Sequence, residues 1–224
     1  MQDVKLQARR IVLASLSPRR REIIGSLRAE VTFVDSDYRE EAHGGGETPE
    51  AYVTRLSSGK ARHAVNPLGN AVVIGADTSV VLDGRVLGKP IDACDAKRML
   101  KQLRGRTHTV LTGVSVYDET SGKLRSRVKA TKVVIRDLSD REIEAYVASG
   151  ETMDKAGGYA VQDTTFRPAE RVDGCYLNAV GFPLCDVVAL LKECGINVSV
   201  NSNCEYSEQC TDCPVKIDGE MIRP

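Results

Sequence analysis

Short apolar runs in the first third of the chain predict buried strands that share one core. These runs are residues 11–15, 31–34 and 71–76. The third run is apolar without interruption, as expected of a central strand covered on both faces, and we expect it to end at Asp77. Residues 79–87 then predict a hairpin, because Asp83-Gly84 is a strong turn signal.

Helix-start signals follow several of these runs. Ser17-Pro18 and Thr48-Pro49 each place a preferred N-cap residue before a proline, which suits the first helical position. Ser139 and Glu142 have the spacing of a capping box. Further helices are predicted at residues 92–103 and 183–193, and further strands at 107–117, 124–135 and 175–180. Alternating strands and helices combined with hairpins predict the α/β class with a mixed sheet.

Composition narrows the classes of partner. Lys and Arg total 31, as do Asp and Glu, so the formal net charge is zero and argues against a protein that coats nucleic acid. The sequence has no apolar run of membrane-spanning length, and its polar N-terminus does not resemble a signal peptide. We therefore expect a cytoplasmic protein with no membrane partner. Its seven cysteines are expected to be reduced thiols rather than a disulfide framework.

The first candidate site is Ser15-Leu16-Ser17-Pro18-Arg19-Arg20-Arg21, between a predicted strand and a predicted helix. A helix N-terminus offers unpaired N–H groups and a partial positive charge, both of which favour a phosphate. Hydroxyls and guanidiniums add hydrogen bonds to phosphate oxygens. The same residues also fit a capped surface helix with a solvated arginine cluster.

Asp77 is the centre of the second candidate site. Open α/β sheets bind ligands at the carboxyl ends of their strands, although an Asp that only starts a turn is an alternative interpretation. Lys89, beyond the predicted hairpin, could return a cation to the same edge. Lys60 lies opposite the apolar stripe of its helix, where a lysine is usually a solvated surface charge.

A glycine-rich stretch at residues 154–162 forms the third candidate site. Its paired glycines allow a ligand to approach the backbone closely, although they also occur in plain turns. Gln162 can both donate and accept a hydrogen bond, which suits contact with the edge of a nucleobase.

These segments occur in a fixed order along residues 10–194. In that order they are Ala14-Ser15-Leu16-Ser17-Pro18-Arg19-Arg20, Glu41, Lys60, Gly75-Ala76-Asp77-Thr78, Gly88-Lys89-Pro90, Leu103-Arg104-Gly105, Asp154-Lys155-Ala156-Gly157 and Val180-Gly181-Phe182-Pro183-Leu184. The ordered set resembles the Maf family. The resemblance implies a catalytic domain at residues 10–194, with an N-terminal extension at 1–9 and a tail at 195–224.

The resemblance also implies a fold and a reaction. The fold is two-lobed, related to that of the inosine triphosphate pyrophosphatases, with the nucleotide in the cleft between the lobes. The reaction is hydrolysis of a nucleoside triphosphate to the monophosphate and pyrophosphate, and it requires a divalent metal, Mg²⁺ or Mn²⁺. Family members are commonly dimers, so a homodimer is a further expectation.

Residue roles come from the same resemblance. Asp77 is implied as the catalytic residue, either as the base that activates water or as a metal ligand, and Glu41 as the second metal ligand. Glu40, in the same acidic loop, is the alternative acidic partner. Substrate contacts are implied for Ser15, Arg19, Arg20, Lys60, Thr78, Lys89 and Gln162. Among these, Arg19, Thr78 and Gln162 match positions linked to nucleobase choice.

The stretch Asp154-Lys155-Ala156-Gly157 followed by Tyr159 and Gln162 resembles the branch of the family that acts on dTTP and UTP. A neutral amide can both donate to and accept from uracil or thymine, whereas the acidic residue of the 7-methyl-GTP branch cannot donate. This sequence departs from many family members after Gln162, where Asp163-Thr164-Thr165-Phe166 stands in place of further glycines.

The sequence allows three states for the tail cysteines and two alternative functions. Cys204, Cys210 and Cys213, with Cys194 upstream, could bind a structural Zn²⁺, remain free thiols or form a redox-linked disulfide. One alternative function is a nucleotide-binding regulator of septum formation without turnover. Another is the same enzyme class acting on a modified purine nucleotide.

Overall fold

The computed structural model of the chain describes residues 9–64 and 69–201, which form a seven-stranded mixed sheet flanked by helices. The strands are β1 (Arg10–Ala14), β2 (Val31–Val34), β3 (Ala71–Leu82), β4 (Arg85–Leu87), β5 (Thr107–Asp118), β6 (Lys123–Ile135) and β7 (Ala169–Asp173). The helices are α1 (Pro18–Ile24), α2 (Pro49–His63), α3 (Ala93–Leu103), α4 (Asp140–Ala148), α5 (Tyr176–Val180) and α6 (Leu184–Glu193), with a short 3₁₀ turn at Ala156–Gly158.

The sheet runs in the order β2-β1-β3-β5-β6-β7, and β4 pairs with β3 at one end. The β1 strand is parallel to both β2 and β3, whereas β5 is antiparallel to β3 and β6, and β7 is antiparallel to β6. This arrangement confirms the predicted α/β class with a mixed sheet.

Most of the predicted helix starts are confirmed by capping hydrogen bonds. Thr48 accepts from the backbone N–H of Ala51 at 3.2 Å, and Asp92 accepts from that of Asp95 at 2.7 Å. The capping box of Ser139 and Glu142 is also present. The Ser17 side chain makes no capping bond, so α1 begins with Pro18 at its first position and without a side-chain cap.

The prediction that the third strand ends at Asp77 is wrong, because β3 continues to Leu82. The β5 strand supplies backbone partners along this whole length, pairing Asp77 with Gly113 and Thr78 with Thr112. Asp77 therefore lies in the middle of a long strand, and backbone pairing with β5 continues on either side of it along the chain.

The predicted strand at residues 175–180 is also wrong, because these residues form α5. Short apolar runs do not distinguish strand from helix, and here tertiary contacts decide. Asn178 of α5 is buried and donates to the carbonyl of Val110 and the hydroxyl of Thr131, at 3.1 and 2.8 Å. The strand that pairs with β6 is instead β7, which the sequence pattern did not indicate.

Two large hydrophobic cores and a smaller third cluster pack along β3. The first core includes Ile11, Leu13, Ile23, Val72, Ile74, Phe182 and Leu190, and the second includes Val80, Leu82, Leu100, Val110, Ile135 and Tyr146. Along β3, the polar residues 77–79 lie between the apolar positions of the two cores. This division agrees with the expected two-lobed fold and places polar side chains where the lobes meet.

The first residues of the predicted tail pack against the first core. Val200 is buried and pairs with Leu27, and the backbone N–H of Asn201 donates to the Ser26 carbonyl at 2.7 Å. Residues 1–8 of the predicted extension at 1–9 and the cysteines at 204, 210 and 213 lie outside the described residues. Over the described ranges, no helix is long and apolar enough to cross a membrane.

Cysteine chemistry follows the prediction only in part. Cys94, Cys175 and Cys194 are free thiols, as expected. Cys185 is disulfide-bonded, so the prediction of reduced thiols is wrong at this position. The count of cysteines in a sequence does not reveal which sulfur atoms come within bonding distance in the fold.

The buried His108 makes stability depend on pH. Its Nε2 lies 2.6 Å from the hydroxyl of Tyr159, and burial lowers the pKa of His108 to about 4. Between pH 6.5 and about 4 the unfolded chain therefore takes up a proton that the folded chain does not. We expect this group to lower the free energy of unfolding by about 3 kcal/mol as the pH falls through this window. Urea unfolding of wild type and of His108→Gln at several pH values measures the effect.

The variant His108→Gln should lack this part of the pH dependence, since glutamine does not titrate. His43→Gln, at an exposed position, is the matched control and should follow the wild-type profile. An unchanged profile in His108→Gln would contradict the assignment.

Candidate active site

A cleft of about 670 Å³ opens around the middle of β3 and is lined by residues from both halves of the sheet. It brings together eight of the residues predicted from the sequence, which are Ser15, Arg19, Arg20, Lys60, Asp77, Thr78, Lys89 and Gln162. Glu41 is exposed and is not among the lining residues, whereas its neighbour Glu40 is.

Two glycines allow α2 to lie directly against the backbone of the sheet. A Cβ on Gly75 would lie 2.2 Å from the carbonyl oxygen of Ser57, and one on Gly113 would lie 2.3 Å from that of Val53. Alternation along β3 puts Asp77 on the same face as Gly75. The Asp77 carboxylate therefore emerges on the side of the sheet that α2 covers.

Lys60 joins two carboxylates at the centre of the site. Its ammonium nitrogen lies 2.7 Å from Oδ1 of Asp77 and 2.7 Å from Oε1 of Glu40. The Lys60 side chain is only 12% exposed, so it is not the solvated surface charge that its helix pattern alone suggested. Long charged side chains are seldom buried without a partner, and here two carboxylates compensate the charge.

Asp77 is a buried carboxylate with cations on more than one side. Burial raises the pKa of Asp77 above its ordinary value, and the neighbouring Lys60 and Arg20 charges oppose that shift. The two effects act in opposite directions on one group, which is a common arrangement at sites that bind charged ligands or transfer protons.

Arg20 holds three parts of the fold together around Asp77. Its guanidinium donates to the carbonyl of Ala76 at 2.8 Å, to the Thr78 hydroxyl at 3.1 Å and to the Gly181 carbonyl at 3.1 Å. Two of these acceptors flank Asp77 on β3, and the third belongs to the turn between α5 and α6. Arg20 lines the cleft, but three of its five N–H groups are used for these contacts.

The hydroxyl of Thr78 is fully engaged in the same network. It accepts from Arg20, lies 3.0 Å from the hydroxyl of Thr112 and donates to the Gly181 carbonyl at 3.1 Å. A hydroxyl has one donor and two acceptor lone pairs, so these contacts use its capacity. The hydroxyl of Thr78 is therefore already occupied by partners within the protein.

A cross-cleft contact joins α1 to the glycine-rich stretch. Arg19 lies 3.3 Å from Oδ2 of Asp154, whose Oδ1 lies 2.6 Å from the ammonium of Lys155. The N–H of Gly157 donates to the carbonyl of Gly88 at 2.9 Å, next to Lys89. The predicted third site is thereby attached to the segment that follows β4, and its Lys155 lines the same cleft.

The remaining predicted residues differ in how firmly they are held. Ser15 is buried, and its Oγ accepts from the backbone N–H of Ser17 at 3.2 Å. Gln162 is half-buried, and Lys89 is exposed at the cleft edge.

Tyr52 also lines the cleft, although the sequence analysis gave it no role in the site. Asp154, Lys155 and Tyr159 of the third candidate stretch, which were given no individual roles, line it as well. Tyr52 lies eight positions before Lys60, and this spacing puts both on one face of α2. The spacing could have indicated Tyr52 as a residue of the site. Within residues 9–64 and 69–201, no cluster of three or more His, Cys, Asp or Glu side chains has the arrangement of a metal site.

Comparisons with known proteins show the family of the chain. A sequence model of the family described as Maf-like protein matches residues 10–194. A protein of Geobacter sulfurreducens named dTTP/UTP pyrophosphatase is 47% identical over 186 residues, which are 83% of this chain and 97% of the relative. A protein of the same name from Pelotomaculum thermopropionicum is 46% identical over 84% of this chain and 98% of its own length. The solved structure of a HAM1 protein from Coxiella burnetii has a TM-score of 0.46 at 16% identity, covering 83% of this chain and 99% of that chain.

The network of Arg20 predicts unequal effects at two adjacent arginines. Arg20→Lys keeps the charge but cannot donate to three separate acceptors, so we expect the free energy of unfolding to fall by about 2 kcal/mol. Arg19→Lys is the matched control, and its exposed pair with Asp154 should contribute less than about 1 kcal/mol. Urea unfolding of the two variants measures the difference, and equal losses would contradict the structural role of Arg20.

Proposed function

Because the chain belongs to the Maf family, we propose that it hydrolyses dTTP and UTP between the α and β phosphates, giving the monophosphate and pyrophosphate. The observation that carries the proposal is the group of Asp77, Lys60 and Glu40 in a cleft lined by further cations. Carboxylates suit the handling of water and metal, and the cations suit a polyphosphate.

Charge neutralisation is the first task of such a site. A nucleoside triphosphate carries about four negative charges near neutral pH, since each phosphate ionises and the terminal one does so twice. The chain has no net charge, but Arg19, Lys89 and Lys155 line the cleft together with Lys60. We propose that these cations bind the phosphates and stabilise the charge that develops on departing pyrophosphate.

The donor set fits a divalent cation, Mg²⁺ or Mn²⁺. Asp77 and Glu40 converge on one ammonium, and Mg²⁺ in proteins commonly takes one or two carboxylates together with phosphate oxygens. We propose Asp77 and Glu40 as its ligands, in preference to Glu41, which does not line the cleft. A cation held there would neutralise charge on the substrate phosphates.

Asp77 would orient or deprotonate the attacking water. The water adds to the α phosphorus as the bond to the β,γ-pyrophosphate breaks, and the proton of the water passes to a base. The buried position and raised pKa of Asp77 favour a carboxylate that can accept this proton. Lys60, within hydrogen-bond distance of the carboxylate, holds it in place.

Nucleobase selection is assigned mainly to Gln162. Its amide can donate to a carbonyl of uracil or thymine and accept from N3–H, and it lines the cleft in the half-buried position expected for a specific contact. Thr78 would contribute its methyl group, because its hydroxyl is already engaged. We propose further that residues 10–194 form the catalytic domain, that the protein is a homodimer and that it acts in the cytoplasm.

Replacement of Asp77 tests the mechanism. We expect Asp77→Asn to lower kcat for dTTP and UTP by about 10²- to 10⁴-fold, because the amide cannot accept a proton or bind a cation as a carboxylate does. Asp83→Asn is the matched control, since it makes the same change in the exposed turn after β3. Pyrophosphate release with Mg²⁺ or Mn²⁺ measures both. Nucleotide binding without turnover in wild type would instead support a regulatory binding protein.

Replacement of Gln162 tests base selection separately. We expect Gln162→Glu to lower kcat/KM for dTTP and UTP by about 10- to 100-fold, because one hydrogen bond to the base is replaced by an unpaired acceptor. Inhibition by pyrophosphate should stay at the wild-type level, since the phosphate contacts are unchanged. If wild type prefers 7-methyl-GTP or another purine nucleotide, the role assigned to Gln162 is wrong while the enzyme class stands.

A further inference from the structure

The acidic loop between β2 and α2, residues 35–48, carries Glu40 to the active site. We propose that Tyr38 and Gly59 are positioning residues for Glu40, because the ring of Tyr38 lies on Gly59 of α2 and fixes the loop so that Glu40 reaches Lys60. The consequence for catalysis rests on the proposed function, whereas the contact itself does not.

The space beside Gly59 is filled by the Tyr38 ring. A Cβ on Gly59 would lie 2.3 Å from Cζ of Tyr38, with Cε2 and Cε1 at 2.5 and 2.6 Å. No residue with a side chain fits there without displacing the ring. Glycine inside a helix costs about 1 kcal/mol relative to alanine, so α2 carries an unfavourable residue at the position where the loop contacts it.

Two further contacts attach the loop along the same face of α2. The ring of Tyr38 lies 5.0 Å from that of His63, and the Arg55 guanidinium is near Tyr38. Arg55 also binds both carboxylate oxygens of Glu47, at 2.8 and 2.9 Å, near the end of the loop. Positions 55, 59 and 63 are four residues apart and therefore form one stripe on the helix.

The interaction free energies favour the contact between Tyr38 and Gly59, here called the anchor, as the cause of the loop position. The ion pair between Lys60 and Glu40 is too weak. The Glu40 side chain is 52% exposed, and a pair of this kind contributes at most about 1 kcal/mol. That is too little to order a loop by itself, since fixing each residue costs about 1 to 2 kcal/mol. Gly59 directly precedes Lys60, so the anchor and the ion pair lie side by side.

Two variants test the anchor from its two sides. Gly59→Ala introduces the clashing Cβ while improving helix propensity, and Tyr38→Ala removes the ring. Gly45→Ala, in the same loop with no atom within 4 Å of its Cβ, is the matched control. Glu40→Gln shows the effect of losing the Glu40 charge itself.

The first readout does not need activity. Lys60 has a 12% exposed side chain, so its acetylation by a small amine-reactive reagent, followed by mass spectrometry, reports whether Glu40 still covers it. We expect faster labelling of Lys60 in Gly59→Ala, Tyr38→Ala and Glu40→Gln, and wild-type labelling in Gly45→Ala. The thermal midpoint of Gly59→Ala should not fall, which separates loop displacement from unfolding.

The second readout is kinetic. We expect kcat/KM to fall by about 10- to 100-fold in Gly59→Ala and in Tyr38→Ala, as displacement of a catalytic group by about 1 Å commonly does. The double variant should be no worse than Tyr38→Ala alone, because the ring that clashes with the new Cβ is absent. Additive losses would contradict a shared contact.

The outcomes of these experiments distinguish the positioning role of Tyr38 and Gly59 from the proposed hydrolysis of dTTP and UTP. Unchanged Lys60 labelling in both Gly59→Ala and Tyr38→Ala would overturn the positioning role, whatever the activity. Faster labelling with unchanged kcat/KM would also overturn it, because Glu40 would then not matter for turnover. A wild-type protein that releases no pyrophosphate would refute the proposed function alone, while faster labelling in the same two variants would still support the anchor.

Discussion

The structure depends on one close contact, the packing of α2 directly against the backbone of β3 and β5. Gly75 and Gly113 make it possible, because any side chain at either position would occupy the space of a helix carbonyl oxygen. Close approach brings Lys60 within 2.7 Å of Asp77 although the two residues belong to different elements. The same helix face then receives the acidic loop, so the arrangement of the side chains in the cleft follows from how near the helix lies to the sheet.

Electrostatic compensation keeps this arrangement stable. Asp77 is a buried carboxylate, and an uncompensated buried charge costs several kcal/mol. Lys60 and Arg20 supply the compensating charges, Lys60 by direct contact and Arg20 while hydrogen-bonding to the residues on both sides of Asp77. A site of this kind favours a polyanionic ligand with a cation, since the ligand can replace protein groups as the partner of these charges. A chain with no net charge can thus concentrate positive charge where the two cores meet.

Local signals predicted much of the fold. The caps at Thr48, Asp92 and Ser139 and the hairpin at Asp83-Gly84 depend on residues next to each other in the chain, and the structure confirms them. The wrong predictions lie where contacts between residues far apart in the chain determine the local structure. Residues 175–180 form a helix because of their packing on the sheet, and β3 passes through Asp77 because β5 offers partners beyond it.

The sequence by itself determined the ordered motifs, the family they belong to and the identity of Asp77 as the central carboxylate, because motif order and local capping are properties of the chain. Only the tertiary structure decided that Glu40 rather than Glu41 contacts Lys60. It also decided that Arg20 and Thr78 form their hydrogen bonds within the protein. Neighbouring acids in a loop are equivalent until something fixes the loop. Here the fixing contact joins Tyr38 to Gly59, two residues whose proximity no local pattern encodes.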